Sequence, residues 1–486
     1  MHTQLLSPKS LIPSNGLPSR SLLPTNPNPL YSTFPSNSSK TQKNRVVNCR
    51  GIEVSVLNNC SNLLNSSNNG SFGSLGVNVK GVDIATLGNL CVDIVLNVPE
   101  LPPEPLHERK AYMERLAASP PDKKYWEAGG HCNTAIAAAR LGLRCTAIGH
   151  VGNDIYGRFL LGVLCDEGIG FVKMSDIPDS TSNASSAYET LLCWVLVDPL
   201  QRHGFCSRAD FNEEPAFSWM SGLKSDVKLA IKQSNILVVN GYGFDELPPG
   251  LIVSALKYAV DVGTCVFFDP GPRGKSLSMG NTEEQMALSE LLKMSDVLLL
   301  TFDEAESLTG ISNPILAGQE LLKRGFRTKW VIIKMGSKGS ILITLSGTSC
   351  APSFKAKVID TVGCGDSFVA AVAFGFVHKM PTIHTLAIAN AVGAATAMGC
   401  GAGRNVATFG KTMELIRAGS LNEDDKFWRE LLDDENADAT REVTLLSAKA
   451  VNGIDSRINC ISLEKVIPEL TSELESAARG TTNITV

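Results

Sequence analysis

From Gly81 onward the chain alternates short apolar runs with longer segments of helical period. Asp83–Leu87, Cys91–Val98, Thr146–Val151, Ile236–Asn240, Thr264–Asp269, Val297–Thr301 and Val331–Met335 are compact and rich in Val, Ile, Leu and Phe. That pattern predicts strands buried on both faces. His131–Leu141, Ile155–Glu167, Leu251–Val262 and Glu283–Met294 read as helices among them. Strand, helix, strand in repetition predicts an α/β fold whose mostly parallel sheet is covered on both faces. Sheets of this kind present ligands beyond the carboxyl ends of their strands. Two stretches break the rhythm. Pro99 to Trp126 is polar and Pro-rich, and Ala187 to Phe205 gives two β-type runs about Pro199.

The ends of the chain follow other rules. No acidic residue precedes Glu53, while Ser, Thr, Pro and Asn dominate and Lys9, Arg20, Lys40, Lys43, Arg45 and Arg50 are scattered among them. An acid-poor, Ser-rich, modestly basic leader reads as a plastid transit peptide over residues 1–55, cleaved near Val46 to Ser61. A tail without an address would have a similar composition. Residues 56–80 are Asn/Ser-rich and read as linker, and 416–486 form a C-terminal extension. In that extension Asn422 to Glu435 is acidic and carries Phe427 and Trp428, and Glu464 to Ala477 reads as an amphipathic helix.

Composition narrows the class. The net charge of −5 lacks the basic balance of a nucleic-acid surface, so no nucleic-acid partner is expected. The 13 cysteines are odd in number and contain no Cys-x-x-Cys pair, which points away from zinc and disulfide frameworks and toward a reducing compartment. No uninterrupted apolar stretch is long enough to span a bilayer, so no membrane partner is expected.

The densest chemistry lies at Asp360 to Phe368. Phe354 to Ile359 reads as a short strand and Phe368 to Val377 as a buried helix, which puts Gly363, Cys364 and Gly365 on a strand-to-helix turn. Free backbone N–H groups and the helix dipole make such a turn an anion site. Asp366 falls in the first helical turn, placed to take a proton from an attacking hydroxyl. A tight glycine turn with an acidic first turn would look the same.

Asp360 to Phe368 resembles the late signature of the pfkB, or ribokinase-like, family of sugar and nucleoside kinases, with Cys364 where that family has alanine. The early signature is also present, from Gly129-Gly130-His131-Cys132-Asn133 to the run Val151–Gly157. The resemblance spans roughly residues 82–410 and implies a ribokinase-like three-layer α/β/α kinase domain over 81–415. A small β lid would come from about 99–128 and 187–210.

The resemblance also assigns residues. Asp93 matches the family's sugar-binding aspartate; read alone, it is a carboxylate in an apolar run that lies at a strand end or is kept for a ligand. Gly129 and Gly130 allow close approach of a substrate, and Asn133 offers both a donor and an acceptor, although an Asn-capped helix start accounts for the same residues. On the nucleotide side, Glu304 is expected to order Mg²⁺ through its waters, with Thr301 standing where the family has asparagine. Gly336 would lie by phosphate or ribose, and Asn390 corresponds to a position near adenine. Arg202 and His203 fall at the lid turn, within reach of a substrate phosphate or simply solvated.

The expectation is an ATP- and Mg²⁺-dependent kinase acting on a hydroxymethyl group of a sugar or nucleoside in the plastid stroma, with a homodimer through the lid implied by the resemblance. That family also includes kinase-like structural or regulatory subunits of plastid complexes, which is the second expectation.

Overall fold

The computed structural model describes residues 80–174, 189–200, 202–211, 222–400, 402–432, 442–448 and 458–482. The leader, its cleavage region, nearly all of the linker and part of the second lid segment lie outside them. Fifteen strands are described. β1 to β5 are Val82–Leu87, Leu90–Asn97, Trp126–Gly130, Cys145–Gly149 and Gly170–Lys173. β6 to β10 are Leu191–Val197, His203–Ser207, Ser234–Asn240, Cys265–Asp269 and Val297–Thr301. β11 to β15 are Trp330–Lys334, Ser340–Ile343, Gly347–Ala351, Glu442–Ser447 and Ile458–Ser462.

Eleven strands form one sheet in the order β15-β14-β13-β12-β11-β10-β9-β8-β1-β4-β5. Only β12 runs against its neighbours. Alternate side chains of the central strands enter two separate cores. Leu299, Ile332 and Phe267 face the layer that holds helices His131–Arg140, Cys364–Val377 and Thr382–Ala397. Leu298, Leu300, Ile333 and Phe268 face the layer of Pro249–Asp261, Thr282–Met294 and Pro314–Arg324. Each side chain buried this way stabilises the fold by about 1.5–3 kcal/mol. The result is the three-layer α/β/α architecture. Among the described residues no helix is long and apolar enough to cross a membrane.

Three sequence expectations change. Cys91–Val98 does not join the main sheet: Leu90–Asn97 is the centre of a four-stranded lid ordered β3-β2-β6-β7. A run buried on both faces reads the same in either sheet, so the pattern could not tell them apart. The polar stretch 99–128 is not itself lid sheet until β3; it carries the helix Leu106–Ala117, whose Arg109 donates to the Phe205 carbonyl of β7. Phe354–Ile359 is not a strand, making only an isolated bridge from Phe354 to Leu421. Beyond that bridge its amides go to scattered carbonyls, Ile359 N to Ala397 O at 2.8 Å among them, because no neighbouring strand runs beside it.

The extension is part of the fold. β14 and β15 lengthen the sheet beyond β13 in parallel register, and Asp425–Leu432 and Leu463–Thr482 are helices. Leu463, Val466, Leu470 and Leu474 of the latter recur at helical spacing and are buried.

Candidate active site

The carboxyl ends of β9, β10 and β11 carry Asp269, Thr301 and Lys334 side by side, with Lys334 paired in register to Thr301. Lys334 Nζ donates to Asp269 Oδ2 at 2.5 Å, and Gly271 N donates to Asp269 Oδ1 at 3.0 Å. Burial opposes the ammonium charge of Lys334, but Asp269 and Glu304 hold it above its ordinary pKa. Thr301 and Glu304 form a reciprocal capping box on the helix Phe302–Thr309: Thr301 N to Glu304 Oε2 is 2.7 Å and Glu304 N to Thr301 Oγ1 is 3.3 Å. Burial and the nearby Asp269 raise the Glu304 carboxyl. Its box uses Oε2 and leaves Oε1 for solvent or a hard cation.

Helix Cys364–Val377 brings the Gly363–Gly365 turn to this cluster. Gly363 caps it in the left-handed region at φ 78°, with no side-chain cap. Asp360 Oδ1 accepts from Val362 N at 2.9 Å and orders the approach. The Cys364 amide is taken by the Thr361 carbonyl at 3.2 Å, so the donors left without an intrahelical carbonyl are those of Gly365 and Asp366. A Cβ placed on Gly365 would stand 3.9 Å from Lys334 Nζ, which locates the turn beside that cation. The Cys364 thiol is pushed up to about 12, mainly by burial, and is therefore a neutral small group at neutral pH.

Asp366 accepts from Thr134 Oγ1 at 3.2 Å and from Asn133 Nδ2 at 3.3 Å. Burial and then Asp269 raise its carboxyl to about 6, with Lys334 and the two donors opposing. The other end of the Asn133 amide accepts from Gly403 N at 2.7 Å. Asn133 thus orients Asp366, and both of its amide ends are engaged within the protein.

Asp93 lies in β2, 5% exposed, facing the same space from the lid. Burial raises it to about 7 although the Cys91 thiol donates to it at 3.3 Å; Asp366 and Glu127 push the same way. Gly129 makes this placement possible. A Cβ there would meet Asp93 Oδ1 at 2.1 Å. Gly130, at φ 59°, turns the chain from β3 into helix His131–Arg140, and a Cβ would strike Asn89 O at 2.5 Å.

The four-stranded sheet touches the segment before the Gly363–Gly365 turn: His203 Nε2 of β7 lies 2.6 Å from Asp360 Oδ1, and both groups are largely buried. Arg202 instead bonds Asp198 within the turn at 2.7 Å.

Outward from Lys334 runs a cleft of about 920 Å³, lined by Thr301, Lys334, Gly336, Lys338, Phe427 and Leu431 among others. Gly336 is thereby in the cleft. Asn390 is not among its lining residues: it is buried, donating to Ala351 O at 2.9 Å and accepting from Ser340 Oγ at 3.0 Å, so it braces the β12–β13 hairpin. Asp366 lies close enough to Asp269, Lys334 and Asp93 to share their electrostatics, as Glu304 does with Asp269 and Lys334; none of Asp93, Glu304, Gly365, Asp366 or Asn390 lines the cleft itself.

Sequence reasoning gave no role to Asp269 or Lys334, although the turn that begins at Lys334 resembles the family's strand-end turn beside the nucleotide, and it passed over Thr134. The signal for the first two was present, since each closes an apolar run at a strand's carboxyl end. The His203–Asp360 contact had none, because only folding brings residues so distant in sequence together.

Comparison with known proteins bears on the family and the fold. The family model described as pfkB family carbohydrate kinase matches residues 83–408. A 5-dehydro-2-deoxygluconokinase of Bacillus anthracis is 29% identical over 309 residues, covering 61% of this chain and 83% of that protein. A 5-dehydro-2-deoxygluconokinase 2 of Bacillus cereus is 28% identical, covering 62% and 84%. Among solved structures, Arabidopsis thaliana ribokinase complexed with ribose and ATP matches with a TM-score of 0.52 and 20% identity, covering 69% of this chain and 98% of that one. Adenosine kinase from Sinorhizobium meliloti matches with a TM-score of 0.55 and 18% identity, covering 69% and 99%. These two show the fold.

Proposed function

We propose, because this chain belongs to the pfkB family of carbohydrate kinases, that it transfers the γ-phosphoryl group of ATP to a hydroxymethyl group of a sugar or nucleoside, with Asp366 as general base. The observation that carries this reading is the meeting of Asp366, the Gly365 turn and Lys334 at the strand ends, opposite Asp93.

Each residue has a task in that transfer. Asp93 accepts hydrogen bonds from acceptor hydroxyls and orients the reacting one toward Asp366. Asp366 takes the hydroxyl proton as the oxygen attacks the γ-phosphorus, and the bond to the β-γ bridging oxygen breaks to leave ADP. The free amides of Gly365 and Asp366, with Lys334, face the charge carried by the transferred group. Mg²⁺, when bound, would neutralise the phosphate oxygens, and Glu304, whose Oε1 stands outside the capping box, is the hard oxygen donor that fits it. The lid, latched through His203 to Asp360, keeps water from competing as acceptor.

The test is ATP consumption with Mg²⁺ across a panel of sugars, nucleosides and the 5-dehydro-2-deoxyglucono acid for which the Bacillus relatives are named. Turnover with one acceptor, lost in Asp366→Asn, supports the reading. Silence across the panel with ATP still bound would move the assignment to a kinase-like structural subunit. The acid-poor leader supports a plastid address, which a fluorescent fusion of residues 1–60 would check by its distribution.

A further inference from the structure

The family match ends at residue 408, yet the far wall of the cleft is built from residues after it. Phe427, Glu430 and Leu431 of helix Asp425–Leu432 line the cleft together with the Gly336–Lys338 turn.

That helix is fixed by several independent contacts. Asn422 N donates to Ser353 O at 2.8 Å, and Asn422 Nδ2 to Ser353 Oγ at 2.9 Å. Ser353 Oγ donates in turn to Ser337 O at 2.7 Å, inside the turn that lines the cleft. Glu423 accepts from Ala448 N at 2.6 Å, just after β14. Asp424 Oδ1 accepts from Phe427 N at 3.0 Å and Asp424 Oδ2 pairs with Lys338. The Lys338 ammonium lies 5.1 Å from the centre of the Phe427 ring, and Phe427 rests edge-on against buried Trp428 at 5.3 Å.

The lining carries both signs of charge, Lys334 and Lys338 with Asp303 and Glu430, so the cleft takes its direction from the position of Lys334 at the strand end beside Gly365. Lys334 marks the reacting end, so a triphosphate anchored there directs its base outward. At the outer end stand an aromatic ring, the apolar Leu431 and the carboxylate of Glu430.

We propose that residues 420–432 complete the nucleotide site, with Phe427 as the face on which the adenine base stacks and the Lys338–Asp424 pair holding that face in place. This rests on reading the cleft as the nucleotide site. A segment outside the matched family region then sets nucleotide affinity, and nucleotide binding stabilises the docked position of the extension by the same linkage.

Titration calorimetry on the full chain with Mg-ATP, and separately with tripolyphosphate, tests it in wild type, Phe427→Ala and Phe427→Trp. Aromatic stacking on a base predicts that Phe427→Ala weakens ATP binding by about tenfold. Tripolyphosphate binding and the acceptor KM stay put, and Phe427→Trp restores ATP binding. ATP affinity in Phe427→Ala within about twofold of wild type would overturn the inference. So would an equal loss of tripolyphosphate binding, since that makes Phe427 a structural support. Absence of ATP binding to the wild type would overturn the kinase reading itself, and the inference with it.

Discussion

Replacing Asp366 with asparagine separates catalysis from stability, because the two are predicted to move in opposite directions. The folded protein holds the Asp366 proton to about pH 6, against 3.8 for an ordinary aspartate. That displacement corresponds to about 3 kcal/mol against ionisation in the fold. Its sign follows from linkage: a carboxyl raised on folding disfavours the fold only where it is ionised. The penalty is absent below about pH 4, grows as pH rises, and is complete above about pH 6. Asparagine never ionises and so removes it. It also forfeits one of the two hydrogen bonds from Thr134 and Asn133, which together with solvent screening reduces the gain to about 1–2 kcal/mol. For the roughly 360 described residues that amounts to a rise in Tm of roughly 1–3 °C. Thermal unfolding of both proteins at about pH 8 and pH 4 reads this: the gain should be lost at the lower pH, leaving at most the small cost of the forfeited hydrogen bond. Coupled-assay turnover should meanwhile fall by about 10²–10⁴. Retention of activity within about tenfold would show that another group takes the proton. A destabilisation of equal size at both pH values would refute the account of Asp366 as a costly ionised group.

Three other outcomes follow from the geometry. Asp93 is raised to about 7, so its carboxylate appears as pH rises through neutrality; the acceptor KM should fall between about pH 6 and 8, and Asp93→Asn should show a high, pH-independent KM. Gly129→Ala would thrust a methyl group into the Asp93 carboxyl, which predicts loss of acceptor binding and about 1–3 kcal/mol of stability, read by calorimetry and denaturant titration. Lys334→Met leaves Asp269 without its cation; the expected cost is about 3–5 kcal/mol in denaturant unfolding, with weakened ATP binding beside it.

Much of the architecture was legible along the chain. The central strands from Ile236 to Lys334 fall where apolar runs of strand length predict, because a strand buried on both faces must be apolar throughout. The helix from Cys364 was equally legible, since glycines, an acid and a long apolar run occur in an order few other structures require. Less legible was anything that depends on which sheet a strand joins. Leu90–Asn97 carries the same apolar signal in the lid as it would in the core, and only pairing with Trp126–Gly130 and Leu191–Val197 decides between them.

Local chemistry therefore fixed which groups are available: Asp366 in a first helical turn, Asp93 in an apolar run, an anion turn at Gly363 to Gly365. Those are properties of neighbouring residues, whose backbone geometry is settled over a few bonds. Which groups act together was decided by the tertiary structure. Asn133 donates to Asp366, Asn390 bonds the β12–β13 hairpin, Lys334 pairs with Asp269, and a helix near residue 430 walls the cleft. Each of those contacts joins residues far apart in sequence, and their distance is set by sheet order and helix packing, which no local pattern contains.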